Sequence, residues 1–342
     1  MRIPVFPGGA KNPLVFISNP KEVKHLREYV IGIDMGGTNT KLGLFDGNMQ
    51  LVAEAKYPTD KDGTATELMN FLAQQVKALT EKAELTLKDV RGVGAAFPSY
   101  VDFRRGMTLE SANLVALNDQ PVREMLESRL GMPVAVDNDA NVAALAEHRY
   151  GAGRGYDNLI YATLATGIGG GLILNGQLFR GMHGMAGEIG HTLISDSIGY
   201  PCSCGVTGCV HSIASGFYMA RYAMDRIKEG EESRILDYAG TLANIDMVAV
   251  GRALQMNDPL ALEVVNRGAE YLGRMFHNLN QIFDINIFVY GGGITNLGHR
   301  FTDRMIASYR HHSLVDQKFP AKFISAELGE RAGVIGAALL VQ

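Results

Sequence analysis

The chain has 342 residues, enough for two domains of ordinary size with a filled core. Charged residues make up 20% and the net charge is −4, which indicates neither a nucleic-acid-tracking surface nor a disordered acidic tail. Three cysteines within eight positions suit a metal better than disulfides and point to a reducing, cytoplasmic setting, as do a proline-broken start without a secretory leader and the lack of any membrane-length apolar stretch.

Residues 1–28 form an extension with Pro4, Pro7 and Pro13, then a charged piece, KEVKHLREY, that fits a short helix. A buried strand starts at Tyr29 and runs through Val30, Ile31 and Ile33 into Asp34, then Gly36-Gly37-Thr38, then a second strand at residues 41–45. This strand, glycine turn and strand suit a phosphate. Glycines let backbone N–H groups face phosphate oxygens, Thr38 adds a hydroxyl, and Asp34 can hold Mg²⁺ through water. An ordinary hairpin is the plain alternative, and further glycine turns downstream weaken it.

Helical periodicity covers residues 64–83, and a strand near residue 93 leaves into a turn at Pro98-Ser99, with Asn113-Leu114 in a loop beyond. The helix at 122–130 is stopped by Gly131 and Pro133. A strand at 134–136 then meets Asp137-Asn138-Asp139-Ala140-Asn141, and a helix runs on to Tyr150. Asp139 could serve as a helix cap and nothing more. At the end of a buried strand, where α/β proteins gather polar groups, it is also placed to take a proton from a hydroxyl that Asn138 orients.

Strands at 159–164 and 171–174 flank Thr166-Gly167-Ile168-Gly169-Gly170, read as a second backbone cradle for phosphate. His191 with Cys202, Cys204 and Cys209 makes a closed donor set for a tetrahedral structural zinc, with no position left for water. Residues 216–228 and 247–255 look helical, and 259–282 form a long helix with Leu262, Val265, Leu272, Phe276 and Leu279 on one face. It delivers a strand at 286–290 into Gly291-Gly292-Gly293-Ile294, a third glycine turn. A last strand at 322–325 precedes a helix of small residues at 333–341.

Three such turns with an Asn-Asp junction between them resemble the sugar-kinase, actin and heat-shock ATPase superfamily. The run Gly167-Ile168-Gly169-Gly170-Gly171-Leu172, then Gly181, then Gly187-Glu188-Ile189-Gly190-His191 narrows this. Together with the DMGGTNTK hairpin, the NDAN junction, the Cys-x-Cys-Gly-x2-Gly-Cys cluster and VYGGGI, it resembles the ROK family (repressors, open reading frames, kinases) from about residue 29 to the end. The resemblance implies an α/β fold of two domains, an actin-like ATPase with its ribonuclease-H-like unit repeated and a structural zinc. The smaller domain would comprise residues 29–136 with about 328–342, the larger 137–327, and the sugar and ATP would share the cleft.

Roles follow by position. Asp139 would be the catalytic base, with Asn113, Asn138, Glu188 and His191 contacting sugar hydroxyls and His211 at the edge of that site. Asp34, Gly36, Gly37, Thr38 and Lys41 would hold ATP phosphates and Mg²⁺, joined by Thr166, Gly167, Gly292 and Gly293. His191 would serve both zinc and sugar. The implied activity is ATP-dependent phosphorylation of a hexose such as glucose, at C6, by a homodimer. Fructose, mannose, allose, N-acetylmannosamine and N-acetylglucosamine are the alternatives, and a sugar-binding transcriptional regulator or a non-catalytic sugar sensor is the rival class. A regulator would need a DNA-binding domain, for which residues 1–28 are too short and insufficiently basic. Two positions depart from the family: His211 stands where a glutamate is usual, and Ser99 where glycine is usual. Both bear on which sugar is read.

Overall fold

The computed structural model describes residues 28–111 and 114–342. The expected short helix of the amino-terminal extension, and Asn113, lie outside the described residues.

The chain opens with a three-strand meander, β1 (Tyr29–Met35), β2 (Asn39–Phe45) and β3 (Leu51–Pro58). Then come α1 (Ala65–Lys82), β4 (Val90–Phe97), the hairpin β5 (Tyr100–Asp102) and β6 (Met107–Glu110), α2 (Val122–Leu130), β7 (Val134–Asn138) and α3 (Asp139–Tyr150). A second meander follows, β8 (Leu159–Leu164), β9 (Ile168–Leu174) and β10 (Gln177–Phe179). Five helices succeed it: α4 (His211–Ala214), α5 (Gly216–Lys228), α6 (Arg234–Ala239), α7 (Met247–Gln255) and α8 (Pro259–Phe283). The chain ends through β11 (Ile287–Gly291), α9 (His299–His312), β12 (Lys322–Ser325) and α10 (Ala332–Leu339).

The two five-stranded sheets have the same plan. One runs β3-β2-β1-β4-β7 and the other β10-β9-β8-β11-β12, each an antiparallel meander extended by two parallel strands. A parallel partner demands a crossover, and helices supply it on the faces of each sheet. Local chemistry sets the helix ends. Thr64 and Glu67 form a reciprocal capping box on α1, and Asp258 with Pro259 starts α8. The apolar stripe of α8 (Leu272, Phe276 and Leu279 among others) is buried against the second sheet's core.

Small residues let α10 lie on the first sheet. A Cβ at Gly32 would stand 1.9 Å from the Val334 carbonyl oxygen, and one at Gly94 would stand 1.7 Å from that of Ala337. Neither neighbour is a flexible side chain, so Gly94→Ala is expected to push the helix off the sheet and destabilise the protein by about 3 kcal/mol. A urea midpoint equal to that of the wild type would refute this packing argument.

One expectation changes. Gly169 and Gly170 are not part of a turn: with Gly171, expected in the strand, they are β9 residues paired with Thr163, Ala162 and Tyr161 of β8. Their bareness serves packing instead, since a Cβ at Gly171 would meet that of Ala144 on α3 at 2.4 Å, and one at Gly170 would meet the Ile189 side chain at 2.6 Å. Only Thr166 and Gly167 form the turn itself. The sequence also conceals β3, β10, α6 and α9. Among the described residues, no helix is long and apolar enough to cross a membrane.

Candidate active site

The strands β1, β4, β7 and β8 point their carboxyl ends toward one cleft of about 530 Å³, the position at which open α/β sheets take ligands. At the end of β1, Asp34 precedes the hairpin turn. Gly36 N–H donates to the Asn39 carbonyl at 2.9 Å, and Thr59 ties the turn down by donating its hydroxyl to the Gly36 carbonyl at 2.8 Å. Gly37 lines the cleft and Thr38 is exposed at its rim. Asp34 also meets the start of α10, where a Cβ at Gly333 would lie 2.3 Å from its carboxylate. Lys41 does not line the cleft; its Nζ is 3.1 Å from both the Glu330 main-chain oxygen and Oε2.

At the β7–α3 junction the cap is Asn138, not Asp139. Asn138 Oδ1 accepts from the N–H groups of Ala140 and Asn141 at 2.9 and 3.2 Å, while its amide donates to the Ser99 carbonyl at 3.1 Å. Asp139 takes a share of the Ala140 N–H at 2.8 Å and is otherwise free to work in the cleft. Burial pushes its carboxyl up to about 7, helped by the negative charge of Asp34. Glu188, across the cleft, is likewise pushed up to about 7, by burial first and by Asp139 second. Burial raises Asp34 too, with Lys41 opposing. Two lining carboxyls pushed up to about 7, Asp139 and Glu188, and no lysine or arginine among the described lining residues make a site for neutral hydroxyls, not for an anionic sugar.

His191 ends a short 3-10 turn (Ile189–His191) and lines the cleft. Its Nδ1 is 3.5 Å from Cys202 Sγ, Cys204 Sγ is 3.5 Å from Cys209 Sγ, and the four donor atoms lie within 4.8 Å of one another. A tetrahedron with Zn–S of about 2.3 Å sets its sulfurs roughly 3.8 Å apart, so the donors fit the ion in number, chemistry and spacing. With Nδ1 turned to that cluster, Nε2 is left for the cleft. His211 stacks on His191 at 5.1 Å between ring centroids, lies under Gly167, and keeps a buried Nδ1 without a hydrogen-bond partner among the described residues. Burial drives its basicity down, so the ring is neutral at pH 7.

Ala165 and Thr166 also line a second, larger pocket of about 940 Å³, so the two cavities meet at that turn. Its walls include Phe217 and Ala220 of α5, Met247 and Val248 of α7, and the Gly293-Ile294 turn with Leu297, and the cationic side chains Arg221, Lys228, Arg252 and Arg300 also line it. Gly292, at φ +101, packs on the Leu164 backbone behind it. This mostly apolar pocket escaped sequence analysis, as did Tyr100 and Glu110 of the smaller cleft. Their spacing is that of ordinary helix and strand faces, and only Thr166 and the Gly293-Ile294 turn carried a signal.

Comparison with known proteins agrees with this geometry. A curated glucokinase of Halalkalibacterium halodurans is 34% identical over 317 residues, 92% of this chain and 95% of that protein. An N-acetylgalactosamine kinase of Shewanella sp. (strain ANA-3) is 33% identical over 90% of this chain and 95% of its own length. The crystal structure of a ROK family glucokinase from Streptomyces griseus in complex with glucose and AMPPNP superposes with a TM-score of 0.78 at 34% identity, covering 91% of this chain and 98% of that one. The sequence model of the ROK family matches residues 30–342. With its paired sheets, glycine turns and Asn-Asp junction accounted for, the chain belongs to the ROK family.

Proposed function

We propose that the chain is an ATP-dependent hexose kinase that phosphorylates the C6 hydroxyl, with Asp139 as general base. The observation that carries this is the adjacency of two cavities that share Ala165 and Thr166 as wall: a carboxylate-lined cleft holding Asp139, and beside it a larger pocket of nucleotide size. The sugar would lie against Asn138, Glu188 and His191, with its reacting hydroxyl on Asp139. One amide hydrogen of Asn138 goes to Ser99, and the other remains for a sugar oxygen. The adenine would enter the larger pocket, and its phosphates would pass the Thr166-Gly167 turn toward Gly36-Gly37-Thr38.

Asp139, ionised, accepts the hydroxyl proton as the oxygen attacks the γ-phosphorus, and main-chain N–H groups of the two turns, other than that of Gly36, would face the transferring oxygens. Mg²⁺, which the Asp34 carboxylate is suited to hold through water, supplies neutralisation of charge on the phosphoryl oxygens. Closure of the half at 29–136 and 328–342 upon that at 137–327 would keep water from the γ-phosphate. The His191, Cys202, Cys204 and Cys209 set would hold zinc and thereby fix the His191 ring.

ADP release measured over glucose, fructose, mannose, allose and the N-acetylhexosamines tests the reading; no release with any of them would reject it. His211 is the residue to vary beside that panel. A neutral imidazole offers one donor and one acceptor where a carboxylate only accepts. His211→Glu is therefore expected to change the ratio of kcat/KM between glucose and the N-acetylhexosamines by about 10-fold, the worth of one well-placed hydrogen bond. An unchanged ranking would clear His211 of any part in choosing the sugar.

A further inference from the structure

We propose that Arg180 is a positioning residue that locks the Asp139 turn to the segment carrying Glu188, so that base and sugar contact are held in one frame. The inference rests on the kinase reading above. It starts from Asp137, beside the site yet absent from the cleft lining and only 1% exposed. A carboxylate withdrawn from water must have its lone pairs filled and its charge matched. One oxygen accepts from the Asn138 N–H at 2.8 Å and from the Asn141 side-chain amide at 3.0 Å. The other accepts from Arg180 Nε at 2.6 Å. Asn138 and Asn141 bracket Asp139, so this buried carboxylate gathers both ends of the turn on which the base stands.

Arg180 reaches it from the other sheet, as the residue after β10. Its own carbonyl accepts from the Ala186 N–H at 3.2 Å, closing the loop that runs directly into Glu188. Its guanidinium lies 4.9 Å from the ring centroid of Phe103 in the β5–β6 turn. The same two stretches touch again beyond it. Arg104 donates to the Met182 carbonyl at 3.3 Å, and Gly184, at φ +84, lies so close to Val101 that a Cβ would stand 2.2 Å from its carbonyl oxygen. Arg180 thus joins three pieces, the β7 end, the β5–β6 turn and the loop before Glu188. Neither it nor Asp137 lines the cleft, so the effect on chemistry is exerted through Asp139 and Glu188.

The test compares Arg180→Gln, Arg180→Lys and the double variant Arg180→Gln/Asp137→Asn, reading kcat, KM for sugar, KM for ATP and melting temperature. The double variant removes the buried charge that the single one strands, which separates folding from positioning. Arg180→Gln and the double variant are each expected to lose about 10-fold in kcat and to gain about 10-fold in sugar KM, with KM for ATP within about twofold. Arg180→Lys, which keeps the charge, should recover most of the loss. A double variant with kcat and sugar KM within about twofold of wild type overturns the proposal, as does an equal rise in both KM values. Wild-type enzyme releasing no ADP on any sugar would instead reject the kinase reading, a result distinct from either.

Discussion

Replacing Asp139 by asparagine is expected to lower kcat by about 10²–10⁴-fold, the usual worth of a general base, while sugar binding survives and the protein melts at a higher temperature at pH 8. The two effects share one cause. Burial, with the charge of Asp34 added, lifts the Asp139 carboxyl to about 7 against an unfolded value near 4. Between those values the folded state binds more protons than the unfolded chain, so stability falls as pH rises through the window and is lowest above about 7. The wild type therefore holds an ionised carboxylate at pH 8 at a cost in stability. Asparagine keeps the oxygen that accepts from the Ala140 N–H but escapes that cost, so a rise of about 2 °C or more is expected at pH 8 and none near pH 3, where both side chains are neutral.

The same carboxyl, as the proposed base, is expected to set the acid limb of activity. kcat/KM for the sugar is expected to drop as pH falls below about 7, and bound Mg²⁺ moves that limb lower by favouring the anion. An Asp139→Asn enzyme that still turns over would remove the general base from the mechanism. A variant that melts lower at pH 8 would show that the carboxylate is not held at a cost.

What could be foreseen divides along a physical line. Features made by local backbone chemistry were legible. The Gly36-Gly37-Thr38 turn, the Asn138-Asp139 strand-to-helix junction (though not which of the two caps the helix), and the Cys-x-Cys spacing each need particular residue types within a few positions, so the sequence displays them. Helices with a clean apolar stripe and a definite cap, such as α2 and α8, were legible for the same reason. β3 was not, because it is an edge strand with Glu54 and Lys56 on its outer face and two alanines, Ala53 and Ala55, in the middle of its inward one. Gly169 and Gly170 misled, since bareness for a phosphate and bareness for close packing look alike in a sequence. Asp137 with Arg180, 43 positions apart, and the apolar pocket of α5 and α7 exist only once the chain is folded.

Extracting the metal from the cysteine cluster, or replacing Cys204 by serine, is expected to raise KM for the sugar by about 10-fold or more and to lower the melting temperature, with KM for ATP little changed. The stretch between His191 and α4 is tied to α5 by Tyr200 on Asp225 and by Tyr218 on the Pro201 carbonyl, but its cysteine-bearing loop has no regular element of its own. Its regular backbone pairing among the described residues is two isolated bridges, Leu193 with Cys209 and Pro201 with Thr207, and Cys204 itself is exposed. Segments with so small a core draw their folding free energy from a bound ion. His191 and His211 are the part of that stretch the sugar would meet, stacked on each other at the cleft wall. Loosening the cluster frees the His191 ring to turn, and the cost falls on the sugar. The nucleotide pocket, built from α5, α7 and the Gly293 turn, keeps its own packing and should bind ATP as before. Metal analysis of the purified protein should return one zinc per chain. Well under one, or a metal-free protein with an unchanged sugar KM, would leave the three cysteines as no more than buried or reactive thiols and the His191 ring held by protein packing alone.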